Sequence, residues 1–126
     1  FNAGVTSQTF TVAVKADSLD EADETVTVSL SNASGATIGS GSSSVTLTIT
    51  DDDATPSLSI NDATVAEDAG SASLTVTLSA ASGRDVSFSY ATSNNTATAG
   101  SDYTAASGSY TITAGNTTQA ISVNIK

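Results

Sequence analysis

The sequence contains no cysteine, histidine, methionine or tryptophan, and only one proline. Without cysteine or histidine it can form no disulfide bond, no thiol or imidazole catalytic centre and no zinc site of the usual ligand set. A Ser/His/Asp triad is excluded for the same reason. Paired carboxylates of the glycosidase type could still be assembled, but a single arginine and few aromatic residues leave little to bind a sugar. We therefore expect a protein that is not an enzyme.

Basic residues are also scarce. The sequence has 13 acidic residues and only three basic ones, which gives a formal net charge of −10. The basic residues are Lys15, Arg84 and Lys126. This balance argues against nucleic acid and anionic membrane surfaces as partners, since both require Lys and Arg to neutralise phosphate. No apolar run approaches the roughly 20 residues of a membrane helix, so we expect no membrane insertion. The absence of cysteine fits a reduced cytosol or a bacterial surface, and abundant Ser, Thr and Asp with little Lys favours an extracellular or bacterial cell-surface location.

The dominant pattern in the sequence is alternation of apolar and polar residues with a period of two. Such alternation is typical of half-buried antiparallel strands, and the intervening Gly-, Asn-, Ser- and Asp-rich stretches are typical of turns. No segment has helical periodicity over helical length. The pattern predicts an all-β antiparallel sandwich. The predicted strands are 9–14, 25–30, 44–50, 73–79, 85–90, 109–113 and 120–125.

An internal repeat divides the chain. Residues 1–15 align without a gap with residues 112–126, a shift of 111 residues that corresponds to one sandwich domain. We therefore interpret residues 1–53 as the C-terminal part of one repeat and residues 57–126 as the N-terminal part of the next. Residues 54–56 form a short linker, which Pro56 should make semi-rigid.

Eight of the thirteen acids lie in two segments, "DSLDEADE" at 17–24 and "DDD" at 51–53. The first precedes a predicted strand and the second follows one, so an antiparallel pairing of these strands would bring both segments to the same end of the sandwich. Ca²⁺, which takes about 6 to 8 oxygen ligands, would neutralise such a cluster. Solvated acidic loops that keep a β protein soluble are the alternative.

The segments "DSLDEADETVTVSL", "VTLTITDDD" and "NTATAGSDY" together resemble the Calx-β domain family, and the resemblance covers essentially the whole chain. It implies an immunoglobulin-like β-sandwich and, in members related to the sodium–calcium exchanger, Ca²⁺ bound in loops at one end. Ala16 stands where the exchanger-like pattern has another acid, which removes one ligand. The ligands that the resemblance implies are Asp17, the Leu19 carbonyl, Glu21, Asp51, Asp52, Asp53, Glu67 and Asp102.

These observations predict a structural repeat module of an extracellular bacterial adhesin, matrix protein or filament, in which calcium rigidifies the junction between repeats. A regulatory calcium sensor attached to a transporter or enzyme and a calcium-independent spacer are the alternatives. The expected partners are adjacent repeats of the same protein. Because the two partial repeats complement each other, neighbouring molecules could associate head to tail by half-domain complementation; a window of a longer array would explain the same pattern.

Overall fold

The computed structural model describes residues 1–41 and 43–126, and it is all-β, with seven strands and one short 3₁₀ turn in these residues. This confirms the predicted fold class. The turn covers Glu67–Ala69. The strands are β1 (Glu24–Ser29), β2 (Ser44–Ile49), β3 (Leu58–Ile60), β4 (Ser71–Leu78), β5 (Val86–Ala91), β6 (Ser107–Ile112) and β7 (Thr118–Asn124).

The strands form three sheets. β1 pairs with β2, β4 lies between β3 and β7, and β5 pairs with β6. The β3–β4, β4–β7 and β5–β6 pairs are antiparallel, and the β4–β7 register places Leu74 opposite Ile121. On the outer face of the β5–β6 sheet, opposed hydroxyl side chains form cross-strand hydrogen bonds, such as that between Ser87 and Thr111 at 2.9 Å.

The chain forms two compact units. The N-terminal unit comprises residues 1–18 and 25–49, and the C-terminal unit comprises residues 19–24 and 50–126. Strands β3 to β7 belong to the C-terminal unit, and β2 and almost all of β1 belong to the N-terminal unit. The division at residues 54–56 that the repeat predicts is a division by sequence repeat, and it stays a prediction.

The buried apolar side chains all lie in the C-terminal unit. β4 shows why they are buried there: its small and apolar residues Ala72, Val76 and Leu78 alternate with exposed polar ones, so that one face of the strand is hidden from water. The core therefore draws on both sheets of the unit and on the connection between β5 and β6. It consists of Ala72, Val76, Leu78, Tyr103, Ile112 and Ile121.

The strand predicted over residues 9–14 is wrong. The structure has no strand there, although the equivalent residues of the next repeat form β7. Phe10 is 70% exposed, whereas its repeat equivalent Ile121 is 3% exposed. The difference has a physical cause, because β7 is held by its ladder with β4, while no strand of the described residues lies beside residues 9–14.

Candidate functional site

The carboxylate of Asp20 in the C-terminal unit is 5% exposed and accepts hydrogen bonds from several side chains. The guanidinium of Arg84 contacts both of its oxygens: Nη2 lies 2.7 Å from Oδ1 and 2.8 Å from Oδ2, and Nε lies 3.3 Å from Oδ2. Such forked contacts between arginine and a carboxylate are the stronger type of charged hydrogen bond. The pair places the chain's single arginine directly on an acid of the 17–24 segment.

Two hydroxyl groups complete the shell of Asp20. Thr55 Oγ1 donates to Oδ1 at 2.9 Å, and Ser82 Oγ donates to Oδ2 at 3.2 Å. A main-chain hydrogen bond links the same two segments, since the Gly83 amide donates to the Asp20 carbonyl at 3.0 Å. One buried carboxylate thus ties together the segment before β1, the linker after β2 and the connection between β4 and β5. We call Asp20, Thr55, Ser82 and Arg84 the Asp20 network.

The Asp20 network shifts the acid–base equilibria of its charged members. The hydrogen bonds from Arg84, followed by that from Thr55, lower the pKa of Asp20 below its ordinary value, and they outweigh the opposing effect of burial. The same hydrogen bond with Asp20 raises the pKa of Arg84, and Asp51 adds a smaller electrostatic contribution in the same direction. Both groups are therefore held in their charged forms.

The residues predicted as calcium ligands fall in both units. Asp17 lies exposed in the N-terminal unit, while Leu19, Glu21 and Asp51–Asp53 lie in the C-terminal unit. The Asp51 amide donates to Asp23 Oδ1 at 3.0 Å, so this acidic side chain supports the backbone after β2.

Glu21 packs against the connection between β4 and β5. Its side chain leaves no room for a Cβ atom at Gly83, because such an atom would lie 2.6 Å from Glu21 Cγ. Gly83 therefore permits the close approach of the 19–24 segment to this connection.

The last two predicted ligands, Glu67 and Asp102, line one groove of about 490 Å³ in the C-terminal unit. The Asp102 carboxylate accepts a hydrogen bond from the Thr98 amide at 2.7 Å and so caps its own loop. Most of the groove's lining is apolar, including Val65, Leu74 and Ile125. The groove is therefore an apolar surface open to solvent, with two acidic residues in its lining.

Across 1–41 and 43–126, no group of three or more acidic side chains lies close enough together to hold an ion. The predicted ligand set, which needs several carboxylates around one point, stays a prediction. Within the described residues, Arg84 supplies a positive charge to the acidic segment 17–24 through its ion pair with Asp20.

The family of the chain follows from a comparison with family models. The model of the Calx-beta domain matches residues 1–53 and again residues 50–126, which together span the whole chain. The chain belongs to the Calx-beta domain family. Two partial matches to one model agree with the internal repeat of residues 1–15 and 112–126.

Calx-beta domains are β-sandwich modules without catalytic activity, and the family is associated with calcium binding in general. No curated protein matches the chain significantly. In the part of the chain that the structure describes, no helix has the length and apolar character needed to cross a membrane.

Sequence reasoning missed the Asp20 network. Asp20 was treated as one acid among five in the 17–24 segment, and Ser82 and Thr55 lie in stretches rich in Ser and Thr. The signal available was the single arginine, since a lone guanidinium among 13 acids has many candidates for a partner. Local sequence patterns do not distinguish between these candidates, because Asp20 and Arg84 are 64 residues apart.

Proposed function

We propose that this chain is a non-enzymatic structural module of a tandem array, in an extracellular bacterial surface protein of the adhesin, matrix or filament type. The observation that carries the proposal is the Asp20 network, in which an acid of one sequence repeat binds the arginine of the next. A spacer must hold successive repeats in a fixed relation, and a bond between repeats meets that need directly. The family match supports a β-sandwich repeat module.

The physical effect of the network is to restrict the linker. Thr55 belongs to the three-residue linker 54–56 and donates to the same carboxylate that Arg84 binds. Thr55, Ser82 and Arg84 bind the same carboxylate, so losing one of these hydrogen bonds would weaken the others. The Asp20 network therefore restricts the motion of the linker relative to the connection between β4 and β5.

Calcium-dependent stiffening of the same joint is the second candidate function. It is favoured by the acids Asp51, Asp52 and Asp53 directly after β2, by the net charge of −10 and by the general association of the family with calcium. An ion that binds only the folded state would raise stability by mass action. The two candidates differ in their cation, which is Arg84 in the first and Ca²⁺ in the second.

Thermal melts of the wild-type chain and of Arg84→Gln, each with calcium and with chelator, separate the two candidates. Lys15→Gln is the matched control, since it also removes one positive charge but lies outside the network. We expect chelation to leave the wild-type Tm unchanged and Arg84→Gln to lower it, with little effect of Lys15→Gln. A wild-type Tm that rises with calcium, together with an unchanged Tm in Arg84→Gln, would contradict the arginine joint and support the calcium joint.

Hydrogen exchange at one amide reports on the joint itself. The Gly83 amide donates to the Asp20 carbonyl, so its protection requires the 19–24 segment to stay in place. We expect Arg84→Gln to increase exchange at Gly83 while leaving the amides of the β4–β7 ladder protected. Equal protection of Gly83 in wild type and variant would show that the network does not hold the joint.

A further inference from the structure

The hairpin of β1 and β2 presents an uncovered apolar face. Its apolar residues alternate with Thr and Ser along both strands, which places them on one side of the two-stranded sheet. Within this face Val45 is 64% exposed, and Leu30, directly after β1, is 60% exposed. A two-stranded sheet with an open apolar face is marginal by itself and needs a covering layer.

The groove of the C-terminal unit also has apolar residues that are exposed to solvent. Val65, which lines it, is 42% exposed, and the half-buried residues Leu74 and Ile125 also line it. Among the described strands β5 pairs only with β6, which leaves one main-chain edge of β5 for a further strand. The apolar lining of the groove suits the apolar face of a small sheet, and an open strand edge suits a further strand.

The internal repeat identifies what fits this surface. Residues 112–126, which contain β7, are equivalent to residues 1–15, and residues 1–15 lead directly into the segment that contains β1 and β2. In a complete repeat, the strands that follow β7 are therefore of the β1–β2 type. We propose that the β1–β2 hairpin of one copy of this chain docks into the groove of the C-terminal unit of a second copy.

The geometry of this contact makes the association head to tail. The β1–β2 hairpin and the groove of a copy are different surfaces, so the contact is heterologous and continues from copy to copy. The position that residues 1–15 would fill is already taken by β7, with Ile121 in the core, which agrees with the exposure of Phe10. The association requires neither calcium nor an extracellular role, so its failure would leave the proposed function standing.

Sedimentation velocity of the full 126-residue chain over a range of concentrations tests the proposal. We expect species at integer multiples of 12.4 kDa whose population increases with concentration. Val45→Glu places a charge on the hairpin face, and Val65→Glu places one on the groove wall. Each should raise the dissociation constant by about tenfold or more, because docking would bury an unpaired carboxylate. The positions are already exposed, so neither change should prevent folding.

Matched controls carry the same charge on neighbouring exposed residues. Thr46→Glu lies next to Val45 on the opposite face of β2, and Thr64→Glu lies next to Val65 outside the groove lining. Both controls should associate as the wild type does. A wild-type chain that stays monomeric at every concentration, or control variants as impaired as Val45→Glu and Val65→Glu, would overturn the proposal.

Mixing the two interface variants gives the sharpest readout. A Val45→Glu copy keeps an intact groove, and a Val65→Glu copy keeps an intact hairpin, so one productive contact can form between them. The mixture should give heterodimers that grow no further, although each variant alone is monomeric. No heterodimer in the mixture would refute docking of the hairpin in the groove, and larger mixed aggregates would show non-specific apolar association instead.

Discussion

The pair Phe10 and Ile121 offers a direct test of how burial depends on a partner strand. The two residues occupy the same position in the sequence repeat, yet Ile121 is buried opposite Leu74 and Phe10 is exposed. Ile121→Ala should cost about 2–5 kcal/mol, which combines the lost transfer free energy of the side chain with the cavity left in the core. Phe10→Ala should change the free energy of unfolding by no more than about 0.5 kcal/mol, as is usual for exposed positions.

The assay is urea and thermal unfolding followed by far-UV circular dichroism and tyrosine fluorescence at low protein concentration. For a unit of this size, about 1 kcal/mol corresponds to roughly 4–8 °C, so Ile121→Ala should lower the Tm by about 8 °C or more. Ile121→Val, with an expected cost of about 0.5–1.5 kcal/mol, gives an intermediate point. A Phe10→Ala variant as destabilised as Ile121→Ala would refute the reasoning, because residues 9–14 would then be packed as β7 is.

Three further changes probe single contacts. Asp20→Asn should lower the urea midpoint of unfolding at neutral pH. The difference in midpoint between wild type and variant should narrow below pH 3.8, the ordinary pKa of an aspartate, because the folded-state pKa of Asp20 is depressed and its contribution to stability is lost as the pH falls further. A difference that stays constant with pH would contradict this. Tyr103→Phe removes the hydrogen bond of its hydroxyl to Asn94 Oδ1 at 2.8 Å and should cost about 1 kcal/mol in urea unfolding, whereas no change would mean that water replaces the bond. Gly70→Ala should lower the free energy of unfolding by about 1–2 kcal/mol in the same assay. The cause would be backbone strain alone, since Gly70 has a φ of 73° and a Cβ atom there would meet open space. An unchanged free energy of unfolding would show that the turn adjusts to alanine.

The sequence predicted the all-β fold and most of the strands because alternation with period two is a local property of the chain. β4 and β5 show it well: each carries an apolar or aromatic residue at every second position, and each is a strand in the structure. The failure at residues 9–14 is equally informative, since their alternation is as regular as that of β7. Alternation shows that a segment suits a half-buried strand, but the ladder partner decides whether the strand forms.

The candidate site was less accessible to sequence reasoning, because charge clustering is not the same as ligand geometry. The segments 17–24 and 51–53 contain enough carboxylates for a calcium site, and that site stays a prediction. One contact that the structure shows between them is the hydrogen bond that the Asp51 amide donates to Asp23 Oδ1. The spacing of acids along the chain contains no information about an arginine 64 residues away, so the Asp20 network could only be found in the structure.

The identity of the cation at the joint determines how an array of such modules would behave. A calcium joint at an extracellular module, with a Kd of about 10⁻⁴–10⁻³ M, would stiffen or loosen with the surrounding calcium concentration. A guanidinium is part of the chain and stays protonated at any physiological pH, so the ion pair of Arg84 and Asp20 needs no ion from solution. This ion pair is weakened at low pH, since protonation of Asp20 removes the negative charge that Arg84 binds. A joint built in this way suits a spacer whose stiffness is constant, and it fits a regulatory sensor poorly, because a sensor needs the cation to come and go.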